Sequence, residues 1–217
     1  MPTAAITLPS LAEQAETLIA LGVHDLARLS PAALRDVCAV DAPSALLVVH
    51  PDLVAPSVLA PLVTVNGKRG FVVTDMSDVD EFAPIPGAEP PDAPVYVLSD
   101  VDRGDALANW SPDEALPAIL GAGRTPLTLT EGLQWLLQRP EVLERNRCFM
   151  TVGSRRRRDD GALDARTPAV WISNGTARDG AGRRNAPKVG WCWAGNRHTW
   201  LGFASAAGRA ALGPRRT

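Results

Sequence analysis

The residue types best suited to chemistry crowd into one stretch, Lys188 to Ala204 (KVGWCWAGNRHTWLGFA). There three of the chain's six tryptophans stand beside Lys188, Cys192, Arg197 and His198. Two chemistries compete for it. A thiol within hydrogen-bond reach of an imidazole makes a hydrolytic nucleophile, whereas indoles flanked by cations make a surface for aromatic or anionic groups. Gly195-Asn196 supplies the positive φ angles of a two-residue turn, so KVGWCWA and HTWLGFA are expected to form a β-hairpin. That register pairs Ala194 with Arg197, Trp193 with His198, Cys192 with Thr199 and Trp191 with Trp200. Cross-strand partners share a face, so Trp191, Trp193, His198 and Trp200 line one side, and Cys192, Thr199, Leu201 and Phe203 the other. Cys192 and His198 are thereby separated, and only an odd loop such as Gly195-Asn196-Arg197 would reunite them. The tryptophan face, with Arg197 at its tip and Lys188 at its foot, is the expected binding surface. The competing reading is that both faces are buried and the tryptophans are core.

Carboxylates form a second group: Asp75, Asp78, Asp80 and Glu81 after one apolar run, then Asp100, Asp102 and Asp105 after another. Hard oxygen ligands at strand ends suit Mg²⁺, which makes Asp100 and Asp102 the metal candidates of a rival, enzymatic reading. The same residues also serve as turn formers and helix caps. DVDRGD is no EF-hand loop, because its glycine falls one place early and Ser111 stands where the twelfth-position Glu belongs. His24 and His50 read as structural. Arg103-Gly104-Asp105 and the sequon Asn174-Gly175-Thr176 carry no chemistry in a chain without a secretory route. Phosphate-loop, dinucleotide-loop, nucleophile-elbow and zincin motifs are all missing, so no motif names a cofactor.

The elements that must position these residues are legible in the periodicity. Ser10-Leu11-Ala12-Glu13 is a capping box, followed by Leu11, Ala15, Leu18 and Ile19 at helical spacing and a stop at Gly22. Ser30-Pro31 opens a second helix running to about Cys38, and the pair LIALGVHDLARLSPAAL is expected as a helical hairpin over residues 1–40. Its likeness to helix-hairpin-helix modules stops short of the glycine-flanked hairpin that would bind phosphate. ALLVVH (45–50), GFVVTDM (70–76), VYVLSDV (95–101), CFMTVGS (148–154) and AVWIS (169–173) read as strands. A short helix falls between Pro51 and Leu62, and Asn66-Gly67 makes a turn. Capping boxes at Ser111/Glu114 and Thr128/Glu131 open two further helices, the second being the strongest of the chain. Arg155 to Arg166 and Asn174 to Ala186 read as polar loops, and residues 207–217 as a basic, disordered tail. The pattern is a single α+β domain over residues 41–206 with a mixed or mainly antiparallel sheet.

Composition sets outer limits. At 217 residues, 46% hydrophobic and 21% charged, the chain is long enough for a substantial core and ordinary enough to be globular. No apolar run reaches eighteen residues, so no spanning helix and no membrane partner are expected. The N-terminus lacks the positive region of a signal peptide, and Cys38, Cys148 and Cys192 form no disulfide pattern, which together point to the cytoplasm. The net charge is −2, yet from Thr151 onward thirteen basic residues face four acidic ones. That asymmetry supports nucleic-acid binding as a third reading, unless basic and acidic parts cancel within the fold.

Several segments resemble an uncharacterised bacterial domain family: LLVVHPDLV (46–54), GFVVTDMSDVDEFAP (70–84), VDRGDALANWSPDEALPAI (101–119), RTPLTLTEGLQWLL (124–137), CFMTVGSR (148–155), PAVWIS (168–173) and, most specifically, APKVGWCWAGNRHTWLGFASA (186–206). Arg155 to Asp160 and Ala207 to Thr217 lie outside the similarity. The resemblance implies a cytoplasmic single-domain protein and carries over no catalytic residue, cofactor or partner. The residues themselves favour a noncatalytic binding or interaction protein, with Trp191, Trp193, Arg197, His198 and Trp200 meeting an anionic or aromatic small molecule or a partner protein.

Overall fold

Ser10 starts the first helix, α1 (Leu11–Ala20), by accepting a hydrogen bond from the Glu13 N–H while the Glu13 carboxylate accepts one from the Ser10 N–H. This computed structural model describes residues 7–40 and 42–213. Gly22, at φ 72°, turns the chain into a one-turn helix α2 (Val23–Leu26) that periodicity alone does not show, and Ser30 caps α3 (Pro31–Val37). The hairpin is therefore a three-helix corner, in which Arg35 of α3 grips Glu16 of α1 through two hydrogen bonds of 2.6 and 3.0 Å. After it come β1 (Ala45–Val49), α4 (Pro56–Leu59), β2 (Phe71–Val72), β3 (Val95–Ser99), α5 (Pro112–Gly121), α6 (Leu129–Gln138), β4 (Cys148–Met150), β5 (Arg166–Ile172), β6 (Pro187–Trp193), β7 (Leu201–Phe203) and β8 (Gly208–Leu212). Two-residue strands complete the set, including the Thr64–Val65 and Lys68–Arg69 pair turned by Asn66 and Gly67 at positive φ.

Two sheets organise the core. One is antiparallel in the order β1-β3-β8; the other runs β7-β4-β5-β6-β2, antiparallel at its centre and parallel at both flanks. The protein is a single α+β fold with mostly antiparallel pairing. α6 lies between the sheets. It packs on β1, and its Trp135 ring meets Phe149 of β4 at 5.6 Å. Gly132 on α6 permits that approach, since a Cβ there would sit 2.9 Å from the Phe149 ring.

The expected C-terminal hairpin does not form. β6 pairs with β5 over seven residues, from Arg166 opposite Trp193 to Ile172 opposite Pro187, while β7 pairs with β4, so two strands separate the halves of KVGWCWAGNRHTWLGFA. A seven-pair ladder outweighs the local preference of Gly195-Asn196 for a tight turn. The connecting loop instead serves the 109–113 segment, whose Asn109 and Asp113 N–H groups donate to the His198 and Ala194 carbonyls. The disordered tail expected over residues 207–217 is corrected over residues 208–212, while residues 214–217 lie outside the described ones. Gly208–Leu212 is a strand along all of β3, and its basic residue Arg209 is buried.

Two interactions lock the sheets to the helices. Glu131, with no exposed surface, accepts hydrogen bonds from the Tyr96 hydroxyl (2.8 Å), the Thr128 N–H (2.7 Å) and two Arg209 nitrogens (2.7 Å each). The outer edge of β1 is covered by two buried glutamine amides. Gln14 accepts from the Leu47 N–H and donates to the Ala45 carbonyl, and Gln134 bonds both the N–H and the carbonyl of Val49, each at 2.8 Å. These amides replace a neighbouring strand and leave the edge unavailable for misplaced pairing. Removing one partner of the buried ion pair strands the other charge, so Arg209→Met is expected to lower the unfolding free energy by about 3–5 kcal/mol. The exposed Arg158→Met should change it by no more than about 0.5 kcal/mol, both read from urea denaturation.

Candidate functional site

The β5/β6 register decides which aromatic side chains meet. Val170 opposes both Phe149 and Val189, so these three share the sheet face on which Trp135 of α6 packs. By alternation Trp191 and Trp193 lie further along that face, beside Arg166 and Pro168, with their rings 4.6 Å apart. Trp171 opposes Lys188 and projects to the other face, where it lies over Gly190; a Cβ on that glycine would be 2.5 Å from the ring. Trp200 meets Trp171 edge-on at 6.2 Å, and His198 stands 5.4 Å from Trp200. The five residues selected from sequence are thus divided: His198 and Trp200 join Trp171, Trp191 and Trp193 pair on the opposite face, and the exposed Arg197 is tied to Glu114 at the start of α5. Trp193 is 49% exposed while Trp191 and Trp200 are partly covered, so the set is neither one open platform nor a sealed core.

The enzymatic candidates are engaged elsewhere. Burial pushes the Cys192 thiol up to about 11, far from an activated nucleophile, and no hydrogen bond joins it to His198. Burial also lowers the pKa of His198. Asp100 pairs with Arg124 at 2.6 Å, and Asp102 accepts the Gly104 N–H at 2.8 Å as a turn former. Asp105 is held below the usual carboxylate range by its hydrogen bonds from Arg103, despite partial burial. Among the described residues no group of three or more His, Cys, Asp or Glu side chains is placed to hold a metal ion.

The arginine run is anchored in place, two of its members by carboxylates and two by backbone carbonyls. Arg155 is buried and donates to the Asp164 carbonyl, Arg156 meets Glu81 at 2.6 Å, and Arg158 meets Asp160 at 2.7 Å. Arg166 grips both Asp78 (2.6 Å) and Asp164 (2.7 Å) and lies 5.3 Å from the centre of the Phe82 ring. Arg166's hydrogen bonds hold both carboxyls below their ordinary values.

A cavity of about 390 Å³ opens beside Trp171 on the face that carries Lys188. β5 delivers Trp171, β6 delivers Lys188, and the polar loop between them delivers Arg178, Asp179 and Arg183. Lys188 Nζ stands 5.0 Å from the Trp171 ring centre and 2.9 Å from Asp179, which also accepts from the Ser173 hydroxyl at 2.7 Å. Burial would raise the Asp179 pKa, but these two donors prevail and hold it low. Arg178 reaches Asp75 at 3.1 Å. Arg183 instead lies 4.4 Å over the Phe71 ring and has no carboxylate within ion-pair distance among the described residues. Ala177, at φ 50°, holds the loop in a left-handed conformation that a side chain rarely adopts. Sequence reading passed over this loop, although Arg178, Arg183 and Arg184 against Asp179 already mark it as cationic.

A family model matches the chain over residues 17–212. The chain belongs to DUF5701, a family of unknown function. The DUF5701 match takes in Arg155 to Asp160 and β8, segments that the sequence resemblance left outside. Comparison with curated proteins and with solved structures finds no match.

Two outcomes follow from this geometry. Iodide should quench part of the native tryptophan emission, and Trp193→Phe should remove part of the accessible fraction, the 40% exposed Trp110 keeping another part, while Trp135 stays shielded; complete shielding would contradict the placement of Trp193. The Asp78 and Asp164 carboxyls, held below their ordinary 3.8, contribute stability that is full above that value and lost as pH falls through the lowered ones. Urea midpoints should therefore drop as the pH falls below about 4, and less steeply in Asp78→Asn.

Proposed function

We propose that this protein is a noncatalytic binding protein whose Trp171 cavity takes a small anion carrying an apolar or aromatic part. The observation that carries the reading is Arg183: a cation facing the same cavity as Lys188 and Trp171, with no carboxylate within ion-pair distance among the described residues and only the longer-range field of Asp179 to balance it. Arg178, Arg183 and Lys188 against Asp75 and Asp179 leave the lining one positive charge in excess. Hydrogen bonds between a guanidinium and a carboxylate or phosphate are stronger than neutral ones, and the volume suits a small molecule. His198 and Trp200 back Trp171 from the side, which keeps part of the sequence-derived site in play. The partner-protein reading attaches to the half-exposed Trp193, with Trp191 against it. Three free cysteines and the absence, among the described residues, of a helix long and apolar enough to cross a membrane support a cytoplasmic location within this proposal.

The test is a calorimetric and thermal-shift titration with benzoate, inorganic phosphate and adenosine monophosphate. At least one should bind, and Arg183→Gln should weaken it by about tenfold or more without changing the free protein's unfolding midpoint, because Arg183 is exposed. Failure of all three probes at about 10 mM would sink the reading.

A further inference from the structure

A second cleft is lined in part by Asn185 of the 174–186 loop and shares no lining residue with the Trp171 cavity. Its volume is about 560 Å³, within the range of small-molecule sites. The Thr64–Val65 strand and its Asn66 turn form one wall, and the chain from Pro140 to Arg145 forms the other. Leu143 and Ile172, both nearly buried, supply an apolar floor.

The charges in this cleft are of both signs. Arg145 donates to the Asn174 side chain, to Asn185 Oδ1 at 2.6 Å and to the Ser173 carbonyl at 3.5 Å. All three acceptors are neutral, so the guanidinium is held in place while its charge goes uncompensated, and two of its five N–H donors remain. Glu141 and Glu144 face the same space. Each stands 3.7 Å from an arginine, Arg139 and Arg147 respectively, beyond hydrogen-bond distance, and each is more than half exposed. A simple anion placed here would meet two carboxylates, and a simple cation would meet Arg145. A ligand with both an ammonium and a carboxylate satisfies the two ends together, and the apolar floor accepts what lies between.

We propose that the Arg145 cleft is a separate binding site for a zwitterion of amino-acid or dipeptide size with an apolar side chain, its carboxylate on Arg145 and its ammonium on Glu141 and Glu144. The assignment stands independently of the Trp171 cavity. The experiment is calorimetric titration of the full chain with L-leucine, leucyl-leucine, N-acetyl-leucine and leucinamide. Leucine or leucyl-leucine should bind, the better of the two fixing the ligand's length. N-acetyl-leucine, which lacks the ammonium, and leucinamide, which lacks the carboxylate, should each be weaker by about tenfold or more. Glu141→Gln should weaken the zwitterion comparably while the free protein's unfolding midpoint stays put, because that carboxylate is exposed and makes no hydrogen bond that holds the fold. Arg183→Gln, in the other cavity, should leave it unchanged. The proposal is overturned if neither zwitterion binds at about 10 mM, if the two neutralised analogues bind equally well, or if Arg183→Gln abolishes the binding.

Discussion

Glu131 has no contact with solvent, and around its carboxylate meet a hydroxyl from one sheet, the N-terminus of α6 and a guanidinium from the last strand. An ion pair taken out of water recovers its desolvation cost only when every remaining lone pair and proton is satisfied. Here Tyr96, Thr128 and Arg209 occupy the carboxylate, and Arg209 also donates to Thr125 and to the Pro126 carbonyl at 2.9 Å. The cluster fixes where α6 begins relative to the three-stranded sheet. From that point α6 reaches both halves of the molecule: Gln134 bonds the edge of β1, and Trp135 packs on Phe149 in the five-stranded sheet. Both candidate cavities border that second sheet, so their placement depends on an interaction distant from either.

The same economy of paired polar groups governs the surface. Most acidic side chains that follow the early strands are matched to arginines from later in the chain: Asp75 with Arg178, Asp78 with Arg166, Glu81 with Arg156, and Asp100 with Arg124. Three of these pairs join the acidic first two thirds to the basic last third within one fold. What is left over is local. Arg183, whose partner is an aromatic ring, and Arg145, whose acceptors are neutral, each face a cavity. Both cavities border the loop that follows β5, anchored by Arg145 on one side and by the Asp179 contacts to Ser173 and Lys188 on the other. A conformation anchored from both sides can tolerate Ala177 at positive φ.

The sequence by itself determined the local elements, because their causes are local. Capping boxes at Ser10, Ser111 and Thr128, the Asn66-Gly67 turn and the valine-rich runs 45–50 and 95–101 each specify an element through neighbours a few residues away and stand where the pattern put them, whereas the run 70–76 keeps only Phe71–Val72 as strand. Strand partnership is nonlocal, and the tertiary structure decided it. Gly195-Asn196 is well suited to a hairpin, yet β6 gains seven pairs with β5 and the predicted turn never closes. That choice separated Trp191 and Trp193 from His198 and Trp200 and brought in Trp171. Arg209, which in sequence looks like part of a basic tail, becomes a buried partner only because β8 returns to β3 beside Glu131. Two arginines of identical type, Arg166 and Arg145, differ in what folding places against their guanidinium groups, carboxylates for one and neutral acceptors for the other, and that difference is what makes one structural and the other a candidate for binding.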